Sequence, residues 1–225
     1  MISDPALNEK PGVQAQPGDA VAASLSVEVW FDLICPWCLI GKRQFEQALA
    51  EFRRLRPACQ VVVHWRSQQL LTDIPPQGLP FREFYLRRLG GAGAVAARQA
   101  QVRAAASRVG ISLDFSTIAV MPNTRAAHAL IADAQAQRDA ATVDALIEDL
   151  FAAHFMRGMN LNDGQLLDAL AQRHVIARSH AVATLEPRGT GVPLFVVNRV
   201  QALSGAQPPE RLLAMLQKAA QAPGG

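Results

Sequence analysis

Two cysteines separated by two residues, Cys35 and Cys38, are the strongest candidates for chemistry in this chain of 225 residues. Two thiols at this spacing can exchange with a disulfide, and in a reducing compartment such a pair is more often catalytic or metal-binding than structural. One thiolate attacks, and the second thiol resolves the mixed disulfide. The pair therefore predicts redox chemistry, with half of a zinc site or two inert core thiols as alternatives.

The flanking residues place this pair between a strand and a helix. The stretch Leu25–Phe31 first alternates apolar with polar residues and then becomes continuously apolar, as strands do where they are buried. After the pair, apolar residues recur at spacings of three and four, which is typical of one face of an amphipathic helix: Cys38, Gly41, Phe45, Ala48, Leu49 and Phe52. Pro36 suits the first helical position, because its missing N–H is not needed there.

This placement predicts different roles for the two sulfurs. Cys35 becomes the N-cap, where unpaired N–H groups and the positive end of the helix dipole favour its thiolate form. We therefore expect Cys35 to be the exposed, attacking cysteine. Cys38 lies one turn further on the buried face of the helix, so we expect it to be shielded and to resolve the mixed disulfide.

The rest of the chain predicts an α/β fold in three parts. A second β-branched run, Cys59–Trp65, completes a strand–helix–strand unit and is expected to be a central strand. Residues 79–185 have almost entirely helical periodicity, including a weak helix over 175–185, and 111–115 is expected to be a loop with apolar anchors. A hairpin over 192–203 and a final helix follow. A proline at the start of a strand, Pro193, is also a plausible site for a cis peptide bond.

These elements predict a thioredoxin-like fold interrupted by a large all-helical insertion. The thioredoxin-like domain comprises residues 25–72 and 187–225, the helical insertion domain comprises 73–186, and 1–24 form a disordered N-terminal tail. No stretch reaches the roughly 18 consecutive apolar residues of a spanning helix, and residues 1–24 do not resemble a secretory signal. The net charge is +3, but the basic residues are scattered. We expect a cytoplasmic protein that binds neither nucleic acid nor membranes.

Four motifs carry a resemblance to a known family. They are Cys35-Pro36-Trp37-Cys38 followed by Ile40–Arg43, Asn123-Thr124 with His128, Gly191–Phe195, and Ser204–Pro209. Together they resemble the DsbA-type oxidoreductases of the FrnE subfamily over about residues 25–220 of this chain. The resemblance implies a thioredoxin fold with a helical insertion, thiol–disulfide exchange at the cysteine pair, and a cis-proline loop beside it.

The same resemblance implies roles for individual residues. Cys35 would be the nucleophile and Cys38 the resolving cysteine, while Val192, next to the cis-proline Pro193, would offer its backbone to an extended substrate. Asn123 and His128 match positions that lie near the active cleft in related glutathione-dependent isomerases. Val29 occupies the position where many thioredoxin-fold enzymes keep a buried carboxylate, with Asp32 and Glu28 close by in sequence. Trp37 is expected to be an exposed aromatic side chain beside the site.

The sequence thus predicts a thiol–disulfide oxidoreductase. One alternative is a glutathione-dependent isomerase or transferase of the 2-hydroxychromene-2-carboxylate isomerase or kappa-class type, although those enzymes usually carry serine where this chain has Cys35. The other is a zinc-binding or holdase-like module without turnover. Cys59 and His64 could supply two further ligands, but five residues apart on a strand they would face opposite sides.

Several expectations concern binding. We expect no metal and no tightly bound cofactor, with glutathione as a candidate co-substrate. The partner would be a protein or small-molecule thiol or disulfide, and the chain would be a monomer or homodimer. Cys59 is expected to be a small buried hydrophobic residue.

Overall fold

Four strands form the sheet that supports the cysteine pair. The computed structural model describes residues 24–180, 183, 185 and 191–221, so the predicted tail lies outside the described residues except for its last one. The strands are β1 (Ser24–Phe31), β2 (Gln60–Ser67), β5 (Leu194–Val197) and β6 (Gln201–Ser204), in the order β2–β1–β5–β6. Strand β2 is parallel to β1, whereas β5 is antiparallel to both β1 and β6.

Helix α1 (Pro36–Leu55) connects β1 to the parallel strand β2 and completes the predicted strand–helix–strand unit. Its buried face contains the residues of the predicted stripe, and α7 (Pro209–Gln221) packs beside it. Alternate residues of β1 are buried, with Leu25, Val27 and Phe31 in the core. The thioredoxin-like α/β fold predicted from the sequence is therefore confirmed.

The segment between β2 and β5 is mostly helical. Its described residues form five helices: α2 (Phe81–Leu89), α3 (Ala92–Ser107), α4 (Arg125–Gln137), α5 (Ala140–Phe155) and α6 (Gly164–Arg173). Two very short strands, β3 (Leu79–Pro80) before α2 and β4 (Val120–Met121) before α4, pair with each other. Residues 111–114 form the expected loop, and a single 3₁₀ turn follows at Phe115–Thr117. The domain boundaries at residues 72 and 187 stay predictions.

Three local expectations were wrong. The run containing β2 is an edge strand, because the β5–β6 hairpin pairs with the other side of β1. Cys59 precedes that strand in a turn, where its N–H donates to the Arg56 carbonyl at 3.0 Å, and it is only half-buried. The weak helix expected over 175–185 is absent from its described residues 175–180, since Val175 adopts a positive φ of 54° just after α6.

A buried cation connects α1 to the helical segment. Lys42 is 1% exposed, and its Nζ lies 3.0 Å from Asp144 Oδ2 of α5 and also contacts Glu46 of α1. Burial alone would lower the pKa of Lys42, but the charges of Asp144 and Glu46 outweigh it and hold that pKa above its usual value. Arg43 joins the same network by pairing with Glu148 of α5. The helix that begins at the cysteine pair is thereby fastened to the segment that covers it.

Candidate active site

The two cysteines lie at the N-terminal end of α1. Cys35 is the N-cap residue with extended backbone angles, Pro36 is the first helical residue, and the Cys38 N–H donates to the Cys35 carbonyl at 3.0 Å. Both thiols are free. Cys38 is 2% exposed, as expected, but Cys35 is only 5% exposed. The expectation of an exposed Cys35 was wrong because a backbone segment near β5 and side chains from the helical segment cover its sulfur.

That backbone segment contains a cis peptide bond between Val192 and Pro193, the conformation that the sequence pattern predicts. The Cys35 thiol donates to the Val192 carbonyl oxygen at 3.7 Å, although the two residues are 157 positions apart. The Gly205 N–H, which follows β6, donates to the Pro193 carbonyl at 2.7 Å and fixes the loop from its other side. The loop expected to contact substrate therefore lies directly against the sulfur of Cys35.

Gly41 allows this loop to approach α1. A Cβ atom added at Gly41 would lie 2.9 Å from Pro193 Cγ and 3.4 Å from Phe195 Cζ. Real Cβ atoms are essentially never as close as the first distance, and a proline ring cannot rotate away as the end of a flexible side chain can. In the sequence, Gly41 belongs to the buried stripe of the helix and to the Ile40–Arg43 motif, and neither pattern indicates this close contact.

Behind the cysteine pair lies a buried carboxylate, Asp32, which is 0% exposed. Its Oδ2 accepts the Leu70 N–H at 2.7 Å, and its Oδ1 lies 3.1 Å from Nε2 of His128. The other ring nitrogen of His128 lies 2.9 Å from the hydroxyl oxygen of Ser67. The Asp32 backbone carbonyl also accepts the Cys35 N–H at 3.1 Å. Asp32 thus supplies a buried carboxylate although position 29 carries valine.

The surroundings of Cys38 oppose the ionisation of its thiol. Burial raises the pKa of the Cys38 thiol well above its usual value, and the hydrogen bond and charge of Cys35 raise it further. The negative charge of Asp32 acts in the same direction, whereas a hydrogen bond from the Asp32 backbone opposes it. At neutral pH the Cys38 sulfur of the reduced protein therefore keeps its proton.

A cavity of about 240 Å³ adjoins Cys35 on the side of the helical segment. Trp37 contributes to its lining and is half-buried rather than exposed. Most of the remaining wall comes from α2 and α3, including Phe84, Tyr85 and Val95. Tyr85 packs edge-on against Phe81, with ring centroids 4.8 Å apart. Sequence periodicity identified these residues as helix stripes, but it gave no signal that they converge on Cys35.

The predicted cleft residues lie elsewhere among the described residues. His128 is 1% exposed and belongs to the Asp32 cluster, not to the lining of the cavity. Asn123 connects loops: its Nδ2 donates to the Ile74 carbonyl at 2.6 Å, and its Oδ1 accepts the Gln69 side-chain amide and the Arg125 N–H, each at 3.1 Å. Asn123, rather than Thr124, thereby satisfies an N–H at the start of α4.

Within the part of the chain that the structure describes, no group of three His, Cys, Asp or Glu side chains is arranged to hold a metal ion. No helix in that same part is long and apolar enough to cross a lipid bilayer.

Comparison with known families decides the classification. The sequence model of the DSBA-like thioredoxin domain matches residues 26–188. The chain belongs to this family. A comparison with curated proteins gives no significant match. Among solved structures, this DSBA-like chain is similar to a "probable DsbA oxidoreductase" from Streptomyces coelicolor, with 26% identity, a TM-score of 0.75, and coverage of 89% of this chain and 92% of that one.

Two further structures share the fold of this DSBA-like protein at lower identity. One is a 2-hydroxychromene-2-carboxylate isomerase, with 15% identity, a TM-score of 0.55, and coverage of 86% of this chain and 93% of that one. The other is the cytosolic disulfide reductase DsbM from Pseudomonas aeruginosa with glutathione, with 16% identity, a TM-score of 0.53, and coverage of 86% and 98%.

Proposed function

We propose that this DSBA-like protein is a thiol–disulfide oxidoreductase that works through Cys35 and Cys38. The observation that carries the proposal is the position of Cys35, which caps α1 with its sulfur 3.7 Å from the Val192 carbonyl beside the cis-proline. A sulfur at a helix N-terminus faces N–H groups that have no partner within the helix, and the neighbouring Val192 backbone can pair with an extended substrate. The similarity to a DsbA oxidoreductase supports the same function.

The exchange proceeds in two steps. The Cys35 thiolate attacks one sulfur of a substrate disulfide, so that a mixed disulfide forms and the other substrate half leaves as a thiolate. Cys38 then loses its proton and attacks the Cys35 sulfur, which releases the second half and leaves a Cys35–Cys38 disulfide. The reverse sequence oxidises a substrate dithiol. The reduced and oxidised forms of the pair therefore exchange two electrons with the substrate.

Asp32 and His128 act as positioning residues in this proposal. Asp32 holds the Cys35 N–H through its backbone carbonyl and the Leu70 N–H through its carboxylate. Leu70 in turn lines the cavity beside Cys35. His128 supplies the second contact that orients the carboxylate. The cluster thus fixes the backbone on two sides of the attacking sulfur without reaching the substrate.

Reduction of insulin disulfides with dithiothreitol tests the proposed function. The wild-type protein should accelerate insulin precipitation, and Cys35→Ser should abolish the acceleration. Cys59→Ser is the matched control, because it removes the third thiol, which lies outside the site, and should leave the rate unchanged. An unchanged rate in Cys35→Ser would overturn the assignment.

Glutathione is proposed as a co-substrate. The support is the shared fold with the DsbM structure that contains glutathione. A Cys38→Ala variant cannot resolve mixed disulfides, so incubation with glutathione disulfide should leave glutathione bound to Cys35. Mass spectrometry of the intact variant would detect the added mass, and Cys35→Ser in the same background should remove it. If no adduct forms while protein disulfides are still trapped, the co-substrate is not glutathione.

A further inference from the structure

The cavity beside Cys35 combines aromatic walls with two guanidinium groups. Arg88 of α2 and Arg98 of α3 both line it, and no carboxylate is found among the described residues of its wall. The Arg98 guanidinium carbon lies 5.7 Å from the centroid of the Trp37 ring, and that of Arg88 lies 5.8 Å from the centroid of the Phe84 ring. Both cations are therefore positioned over aromatic side chains that form the same wall.

These two charges have no acidic partner among the residues that the structure describes. Neither arginine forms an ion pair with a residue that the structure describes, and Arg98 donates only to the neutral Gln101 side chain, at 2.8 Å. The surrounding sequence adds to the imbalance, because residues 79–110 contain six arginines and one acidic residue, Glu83. Positive charge concentrated at the rim of a low-dielectric cavity attracts anions. The cavity is thus suited to a negatively charged ligand.

The volume of the cavity and its polar groups restrict the type of ligand further. A cavity of about 150 Å³ accommodates benzene. The cavity beside Cys35 has a volume of about 240 Å³ and is therefore suited to one substituted aromatic ring rather than to a folded protein segment. Burial, together with the nearby charge of Cys35, raises the pKa of Tyr85 to about 12. Its phenol, which makes no hydrogen bond to another described residue, stays protonated and can donate to a ligand oxygen.

We propose that this cavity binds one half of a low-molecular-weight disulfide, a half that consists of an aromatic ring bearing a carboxylate. The ring packs among Trp37, Phe84 and Tyr85, and the carboxylate pairs with Arg88 and Arg98. The proposal rests on the proposed function, because it names the substrate class for the same cysteine pair. In this proposal α2 and α3 determine the substrate specificity, which the cysteine motif alone does not.

The reaction balances without any further reagent. The Cys35 thiolate forms a bond to one substrate sulfur, the substrate S–S bond breaks, and the other aromatic half leaves as a thiolate. Cys38 gives its proton to water and bonds to the Cys35 sulfur, which expels the second aromatic half as a thiolate. Two electrons pass from the protein thiols to the substrate disulfide, so the protein is oxidised and the substrate is reduced.

Two chromogenic disulfides test the assignment. Dithiobis(nitrobenzoate) carries one carboxylate on each aromatic half, whereas dithiodipyridine is a neutral aromatic disulfide. Each is mixed with the reduced Cys59→Ser protein, so that only the site thiols react, and the rates are divided by those of free mercaptoethanol. The protein should prefer the carboxylate probe. Arg88→Gln and Arg98→Gln should each lower this preference by about fivefold, because each removes one charge-assisted contact.

Arg87→Gln is the matched control, since Arg87 is exposed on the same helix and does not line the cavity. It should leave the preference almost unchanged. An equal loss in all three variants would overturn the cavity assignment, because it would indicate a general surface charge effect. Thiolate release with no preference for the carboxylate probe would overturn it too, while preserving the proposed function. If the Cys59→Ser protein reduces neither probe, the proposed function itself fails.

Discussion

Nε2 of His128 lies 3.1 Å from Oδ1 of Asp32, and both side chains are fully buried behind the cysteine pair. A buried carboxylate is tolerated only when its oxygens are satisfied, and here a backbone N–H and an imidazole satisfy one oxygen each. His128 also contacts the Phe31 ring edge-on, with centroids 5.7 Å apart. The imidazole of His128 therefore has two roles: it forms a hydrogen bond with the Asp32 carboxylate, and it packs against Phe31 in the core.

The first prediction separates these two contributions. His128→Phe keeps an aromatic ring against Phe31 but removes the hydrogen bond to Asp32, so it should lower the free energy of unfolding by about 2 kcal/mol. His128→Gln keeps a side-chain donor and should recover part of the loss. Urea unfolding at pH 7 measures both variants. If the Phe variant is as stable as the wild type, the contact does not support the carboxylate.

Periodicity and turn chemistry predicted the elements around the site because both act over a few residues. The strand before Cys35, the N-cap at Cys35 itself and the cis bond at Pro193 were all predicted in this way. Local patterns predicted no contacts between distant residues, and the cis-proline loop beside Cys35 was predicted only through the family resemblance. Asp32 and His128 are 96 positions apart, and nothing in either neighbourhood indicates that an imidazole reaches that carboxylate.

The exposure of Cys35 was mispredicted for a related reason. A helix N-terminus is normally accessible, but the helical segment and the Val192 carbonyl cover this one. Residues 81–89 and 92–107 were correctly predicted to be helical, whereas Leu79 and Pro80 form β3. The amphipathic pattern of the helices does not specify which element their apolar face covers. The cavity and its two arginines are therefore properties of the packing between α1, α2 and α3, and became visible only in three dimensions.

The second prediction concerns the contact between Gly41 and the cis-proline loop. Gly→Ala inside a helix usually stabilises a protein by about 1 kcal/mol. At position 41 the added methyl group would lie 2.9 Å from Pro193 Cγ, so Gly41→Ala should instead lower the free energy of unfolding by about 1–2 kcal/mol and slow insulin reduction.

Gly93→Ala provides the matched control for this substitution. Gly93 lies in α3 with no atom within 4 Å of its added Cβ, so the variant should be at least as stable as the wild type. Thermal unfolding followed by circular dichroism compares the two. Stabilisation by both substitutions would show that the loop does not press on α1.

The third prediction tests the buried cation that fastens α1 to α5. Lys42→Met keeps most of the side-chain volume but leaves the carboxylates of Glu46 and Asp144 without their shared partner. These carboxylates are 37% and 42% exposed, so water can solvate them once Lys42 is gone. The free energy of unfolding should therefore fall by about 2 kcal/mol.

Arg54→Gln is the control for Lys42, because it removes an exposed pair with Glu51 on the same helix. It should leave the urea midpoint unchanged. A Lys42→Met midpoint equal to that of Arg54→Gln would mean that the buried network contributes nothing to the attachment of the helical segment.

The final prediction concerns the pH dependence of the second exchange step. Burial raises the pKa of Cys38, and in the mixed disulfide this cause persists although the charge of Cys35 is gone. Since only the thiolate attacks and its fraction grows with pH below that pKa, release of the second substrate half should accelerate by about tenfold per pH unit between roughly pH 6 and 8.

Stopped-flow absorbance with dithiodipyridine resolves the two steps as successive releases of thiopyridine from the reduced Cys59→Ser protein. Adding Cys38→Ala should keep the first release and eliminate the second, which identifies the slow phase. A second phase whose rate is flat over this pH range would show that Cys38 is already a thiolate in the mixed disulfide. Burial would then not control the step.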